Sequence, residues 1–399
     1  MNRRQVILLV IAGLVLGGAG LYLNRQRTAS FTSTERTAVG RLLGDFPIND
    51  VALVTLRQQS NEVNLVKADA WTVRERSGYP ASADEIVGFV RKLWDLRPAQ
   101  SQKIGPSQLG RLNLLQPDAG GTNTGLLIEL KAADGKKIRS VLLGLESVRG
   151  GENPGSGGWP NGRWLYLPDQ PGNAYVVSET FTEIEPNPER WLKKDFFRIE
   201  KAKTLAVEFP AATNSWKLTR ETETGEWKLA DAGSGEQLDP AKIAALASPL
   251  SAPSFSDVTA GGTPDSTGTN QPTVVKIETF DGFAYTVNVG AKTNEEYFLT
   301  VAVTAQLTKE RTPGKDEKPE DKAKLDKEFK DKLQKLEDKL KQEQSLGKWT
   351  YRVAGWTLEP LLKGRLQLLV EKKEEPKAAE GSTTNSVNPG APASPGNPK

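Results

Sequence analysis

The sequence predicts an α+β fold of two duplicated lobes, each an antiparallel sheet with a packed helix, plus one N-terminal transmembrane helix and a helical insertion arm. Three observations predict it. Two β-like segments, a tryptophan at Trp71 and an amphipathic helical stretch ending near Trp94 follow one another, and the same order returns around Trp227, 156 residues after Trp71. A run from Val6 to Leu23 carries no charge. Between Thr308 and Gly347 the composition turns lysine- and glutamate-rich with leucines at helical spacing.

Composition narrows the function classes before any motif is considered. In 399 residues, 37% are hydrophobic, enough for two or three packed domains. Lys+Arg (53) and Asp+Glu (50) nearly cancel to +3, so the chain lacks the basic footprint of a nucleic-acid binder and no nucleic acid is expected as partner. There is no Cys and no His. Thiolate nucleophiles, the Ser-His-Asp arrangement and ordinary zinc sites are therefore excluded. The expectation is a protein that is not an enzyme, with no catalytic residue, no metal site and no cofactor.

The element order begins with the charge-free run. Its 18 residues, at about 1.5 Å each, reach roughly 27 Å, the depth of a bilayer's hydrocarbon. Residues 1–27 are read as a signal anchor with its flanks, and the bulk of the chain as extracytoplasmic (periplasmic) at the cytoplasmic membrane. A cleaved signal peptide is the competing reading, because Arg3 and Arg4 form a basic start and Gly18, Ala19 and Gly20 are small. Gly13 and Gly17 form a G-x-x-x-G, the spacing of a transmembrane dimer face, which points to a homodimer. The alternative is that glycines are simply common in spans. Residues 28–44 are a polar tether.

The first lobe is placed at 45–197. Val51 to Arg57 alternates as a strand, Asn61 turns the chain, Val63 to Val66 returns, and Trp71 opens a third strand. Ser82-Ala-Asp-Glu85 spells a capping box ahead of a helix with Ile86, Phe89, Val90, Leu93 and Trp94 on one face. GRLNLLQP (110–117) reads as a linker, and Asp134-Gly135 turns a hairpin. A glycine-rich loop (150–162) leads to the Trp164 strand. Ala174 to Ile184 is the last strand, before a closing turn at Pro186–Trp191.

The second lobe, 198–370, repeats the order. Thr204–Phe209, Ser215–Thr219 and the Trp227 strand precede a helix launched by Asp239-Pro240 and carrying Ile243, Leu246 and Leu250. Val274–Thr279 and Tyr285–Val289 are the second hairpin, turned by Asp281-Gly282. The insert 308–347 then sits at the tip of a hairpin whose first-lobe counterpart is only the turn Gln170–Asn173. A turn has become an arm. Within it Leu325, Phe329, Leu333, Leu336 and Leu340 form the apolar stripe of one helix of about 20 residues, the candidate partner-binding face; the competing reading packs this stripe on the lobe's own surface. Residues 371–399 are expected to be a disordered tail.

Two other constellations carry a rival function. Trp159 and Trp164, beside the glycine-rich loop, are candidates for glycan stacking, and two of Glu183, Glu185 and Glu189 could serve as an acid/base pair, making a cell-wall glycan-binding or glycan-hydrolysing envelope protein the alternative. Acidic residues at a strand corner are more often caps and surface charge.

The anchor, the strand pair ending in Trp71, the Ala83-Asp84 helix start, GRLNLLQP and the Lys194-Asp-Phe-Phe-Arg198 link together resemble the bacterial family known only as the domain of unknown function numbered 4340, over roughly Asp45 to Val370. The resemblance implies a membrane-anchored protein encoded beside ABC-type export or gliding-motility-like components. It implies no catalytic residue. The expected role is a non-enzymatic accessory protein of an ABC-type transport or envelope assembly, with a permease-like or other envelope membrane protein as partner.

Overall fold

A computed structural model of the chain describes residues 40–119, 121–149, 159–260, 267–268, 270–314 and 317–371. The expected span with Gly13 and Gly17, most of the tether, most of the glycine-rich loop and the tail after Glu371 lie outside the described residues. Among the described residues no helix is long and apolar enough to cross a membrane.

The described chain is mixed α+β, with two antiparallel sheets and few helices. In the first sheet, β1 (Leu53–Gln58), β2 (Asn61–Lys67), β3 (Trp71–Val73) and β4 (Tyr79–Pro80) lead to helix α1 (Ala83–Trp94). β5 (Pro98–Lys103), β6 (Leu126–Lys131), β7 (Lys137–Arg149), β8 (Trp159–Tyr166) and β9 (Asn173–Val177) complete it, in the order β4-β3-β2-β1-β6-β7-β8-β9-β5. The second is built from β10 (Ala202–Glu208), β11 (Trp216–Thr219), β12 (Lys228–Leu229), helix α2 (Pro240–Ile243), β13 (Asp257–Thr259), β14 (Thr273–Thr279), β15 (Phe283–Thr293), β16 (Glu296–Ala305), helix α3 (Pro319–Gln344), β17 (Thr350–Ala354) and helix α4 (Gly355–Leu358). Its order, β12-β11-β10-β14-β15-β16-β17-β13, is the first sheet's order without a β4.

The correspondence reaches single residues. Val54 pairs with Leu65 as Leu205 pairs with Leu218, and Leu165 pairs with Tyr175 as Leu299 pairs with Tyr351. At the far edge Gln100 stands opposite Val176 where the second sheet places Asp257 opposite Arg352. Even the closing turns match. The Ala81–Leu192 bridge after Pro188–Trp191 reappears as the Leu238–Leu369 bridge after Arg365–Leu368.

Period-two alternation sorts each strand into two faces. Val54, Leu56, Val63, Leu65, Ile128 and Val141 face α1, whose Ile86, Phe89, Val90 and Leu93 close over them. On the other face Leu127, Leu142 and Ala174 form a small second cluster capped by Leu114. GRLNLLQP is thus not a linker: its first residues belong to a 3-10 helix (Pro106–Leu112), and its Leu112 and Leu114 cover the back of the sheet. The approach is close enough that a Cβ on Gly144 would lie 2.2 Å from the Leu112 carbonyl oxygen.

Several local expectations change. Ser82 makes no side-chain cap, and Glu85 pairs with Arg190 instead. Asp239 does cap, accepting from the Ala241 amide at 2.9 Å. Its helix stops after one turn, however, and continues as a 3-10 turn to Leu246, with Leu250 already at φ +52°. Ala-Ala-Leu-Ala-Ser-Pro offers too little apolar surface to extend it. β9 ends at Val177 rather than Ile184, and the edge strands β5 and β13, polar and short, escape a hydrophobic-pattern reading.

One hydrophobic cluster runs through both lobes. Its joint is aromatic. Tyr79 of the first lobe meets Trp349 at 5.1 Å and Phe255 at 5.9 Å between ring centroids, while Phe196 of the connecting Lys194–Arg198 link meets Tyr351 at 4.6 Å and Phe255 at 5.0 Å.

Candidate functional site

Two sites stand out once side chains are followed: an ionic clamp at the joint and a cleft beneath the arm. The clamp begins with Arg76, just past β3. It donates from Nε to Asp257 Oδ1 at 2.5 Å and from Nη2 to Oδ2 at 3.0 Å. Arg352 of β17 donates from Nη2 to the same Asp257 at 3.0 Å and to Glu189 at 2.7 Å. Asp257 is 5% exposed. Burial alone would push its carboxyl up, but the Arg76 hydrogen bonds, the Val258 amide and the two guanidinium charges hold it below the ordinary aspartate value. Glu189 shifts the other way, raised by burial and by the charge of Asp257. With Asp257 engaged by both arginines and Glu189 by Arg352, this arrangement joins the turn after β3 to β13 and β17 across the joint. Its members lie up to 276 residues apart in the chain (76 to 352), so no local spacing announces it.

The cleft is built by α3, which lies against a sheet rather than a second helix. The lysine- and glutamate-rich sequence is a strong helix former, and Pro319 starts it. At 26 residues the helix is longer than the stripe alone indicates. Its C-terminal half is locked down. Leu336 and Leu340 pack on the shared core. Glu343, the next position of the same stripe and only 3% exposed, accepts from the Arg198 amide at 2.9 Å and from the Tyr285 hydroxyl at 2.8 Å. Burial raises the Glu343 carboxyl, opposed by these two donors and by Lys339. Burial and the neighbouring Glu343 charge likewise push the Tyr285 phenol well up. At the other end Arg311 binds Glu317 and also Asp326, at 2.8 Å, tying the segment that leads into α3 to the helix's N-terminal part.

Between these fastenings α3 stands off the β14–β15 turn and leaves a cleft of about 530 Å³. Phe329, Leu333 and Leu336 line one wall, and Phe280, Leu307 and Thr279 the other, with Lys203 and Glu310 also lining it. Leu325, Phe329 and Leu333 are each half-buried. Gly282 permits the turn, since a Cβ there would lie 2.3 Å from the Gln306 carbonyl oxygen. The stripe read from the sequence is therefore brought to one surface, half gripping the lobe and half facing the cleft. Glu343 was legible as an apolar-stripe position filled by an acid. The opposite wall carried no sequence signal.

The tryptophans separate. Trp71 (6% exposed) and Trp227 (9%) are core residues at matching places. Trp164 is half-buried against the small cluster on the back of the first sheet, and the Trp159 side chain lies outside the described residues. Glu183 is paired with Lys92 at 3.0 Å and Glu189 with Arg352. Among the described residues no group of three or more acidic side chains is placed to hold a metal ion.

These features define a class: a mixed α+β protein of two antiparallel sheets whose polar clusters join its own elements. Residues 71–272, half of the chain, match the family described as a domain of unknown function, DUF4340, and the chain belongs to that family. The match is narrower than the stretch from Asp45 to Val370, and it crosses the joint, taking in Phe196, Phe197 and Asp257. No curated protein and no solved structure matches the chain.

Proposed function

We propose that the protein is a non-enzymatic accessory subunit of an ABC-type transport or envelope assembly, working through protein–protein contact at the arm. In this reading the charge-free run Val6–Leu23 is a single span, the lobes lie on the extracytoplasmic side of the cytoplasmic membrane, and the two sheets are duplicated lobes. The shared strand order supports the duplication. The absence of His and Cys and the self-satisfied carboxylates support a non-enzymatic role. The observation that carries the proposal is the arm: α3 is fixed at both ends, yet holds Phe329, Leu333 and Leu336 along an open cleft, with Leu325 half-buried further along the same stripe. An amphipathic helix held this way offers spaced apolar anchors to a partner segment.

A photo-crosslinking residue at Phe329, tested in native membranes, decides it. The expected adduct joins the arm to a membrane subunit of an ABC-type transporter and disappears with Leu333→Asp while thermal unfolding stays unchanged. Adducts confined to the protein's own second lobe sink the proposal.

A further inference from the structure

The repeat supplies an internal control for a second surface. Each lobe has a groove between the tryptophan at the head of its third strand, first residue of β3 in one and just before β12 in the other, and the helix that follows. In the second lobe this groove is about 790 Å³, bordered by Trp227, Ile243 and Ala247. In the first it is about 390 Å³, bordered by Trp71, Val87, Val90 and Trp94, a size suited to a small ligand.

The two grooves differ in how they treat charge. Register places Lys67 and Arg220 at the same position: each lies two residues past the leucine paired with the first strand (Leu65 and Leu218), and each amide donates to the matching carbonyl, Ala52 at 2.8 Å and Lys203 at 3.1 Å. Arg220 is consumed by its own lobe. Its Nε donates to the Ala202 carbonyl at 2.5 Å, its Nη1 to the Ala247 carbonyl at 3.4 Å, and its guanidinium stacks over Trp227 at 4.6 Å. The other cation lining that groove, Lys228, is held by Glu221 at 2.9 Å, and Glu226 and Glu236 also line it.

Lys67 has none of this. Among the described residues neither Lys67 nor Arg91, the second cation lining the first-lobe groove, has a side-chain hydrogen bond or ion pair, and the lining contains no acidic residue. Arg41, which stacks on Trp94, is by contrast neutralised by Asp45 and Asp95. Val87 stands 54% exposed at this groove although it is large and apolar. An apolar groove with two uncommitted cations complements one ligand chemistry. We infer that this groove binds a small amphipathic carboxylate, an aliphatic or aryl acid whose apolar body lies against Trp71, Val87 and Val90 and whose carboxylate sits between Lys67 and Arg91. Arginine's planar fork suits a carboxylate in two-point contact, and the lysine adds a second positive charge.

The test is isothermal titration calorimetry on the full-length chain in lipid nanodiscs, with naphthalene-2-carboxylate as probe and naphthalene-2-carboxamide as its neutral match. Saturable single-site binding of the acid is expected, with the amide at least about tenfold weaker. Replacing both cations (Lys67→Gln with Arg91→Gln) should weaken the acid about tenfold and leave the amide unchanged. Val87→Trp, at a position 54% exposed on α1, should fill the groove and abolish binding without moving the melting temperature. Absence of saturable binding, equal affinity for acid and amide, or undiminished binding in the Val87→Trp protein would each overturn the assignment.

Discussion

At the scale of single residues, stability rests on a few positions with no substitute. Gly144 is one: alanine there must displace the Leu112 backbone or the sheet, and a cost of about 2–3 kcal/mol is expected in denaturant unfolding. Asp257 is another. Its folded pKa is depressed, so the stability it contributes is present above the ordinary aspartate value of about 3.9 and is lost as pH falls through the lower folded value. Glu343 works in the opposite sense. Its raised carboxyl favours the fold at low pH, and that contribution disappears as pH rises from about 4.3 through the folded value. Asp257→Asn should therefore flatten the acid limb of a stability–pH profile, while Glu343→Gln should flatten the fall above it. Parallel profiles for wild type and either variant would contradict these assignments. Arg76→Ala, which leaves Asp257 with Arg352 as its remaining cationic partner, is expected to cost about 2–3 kcal/mol.

At the scale of elements, the arm makes the sharpest prediction. Glu343→Leu keeps the apolar stripe continuous but leaves the Arg198 amide and the Tyr285 hydroxyl without their carboxylate; a loss of about 2–3 kcal/mol is expected, whereas Phe329→Ala, facing the cleft, should cost under about 1 kcal/mol. Equal losses would mean that the whole helix is packed alike. The same element shows what could be read in advance. Strong periodicity placed α1, α3 and the central strands, because their burial writes a pattern of period 3.6 or 2 into the chain. α2 was overread: Asp239-Pro240 starts a helix as its residues indicate, but the start signal says nothing of how far packing will carry it. β5 and β13 were missed, since edge pairing through the backbone needs no apolar alternation. The clamp and the cleft were illegible for a different reason. Each is made by residues far apart in sequence: the pairing of the two lobes assembles the clamp, and the return of α3 over the β14–β15 turn assembles the cleft.

At the scale of the whole molecule, the shared core predicts that the lobes do not unfold separately. Phe196 belongs to neither sheet yet touches Phe197, Phe255 and Tyr351; because it is only half-buried, Phe196→Ala is expected to cost about 2–3 kcal/mol and to lower one transition, seen alike by tryptophan fluorescence and circular dichroism. Two resolved transitions would show the lobes to be independent. The joint has one more consequence. Tandem units that fit head to tail through a repeated contact can go on adding units, within a chain or between molecules, and open contacts of this kind build fibres. Here the fitting is cut once. Where Asp257 faces Arg352, the first lobe's free edge has Gln100 facing Val176; where Arg76 stands five residues beyond Trp71, Ala232 stands five beyond Trp227. The outer rim is further blunted by Pro98 and Lys103 at the two ends of β5. Among the described residues lock and key occur together only in the middle, so a third sheet of either kind would find neither half of the match, a contact suited to a finite pair rather than to the first links of a filament.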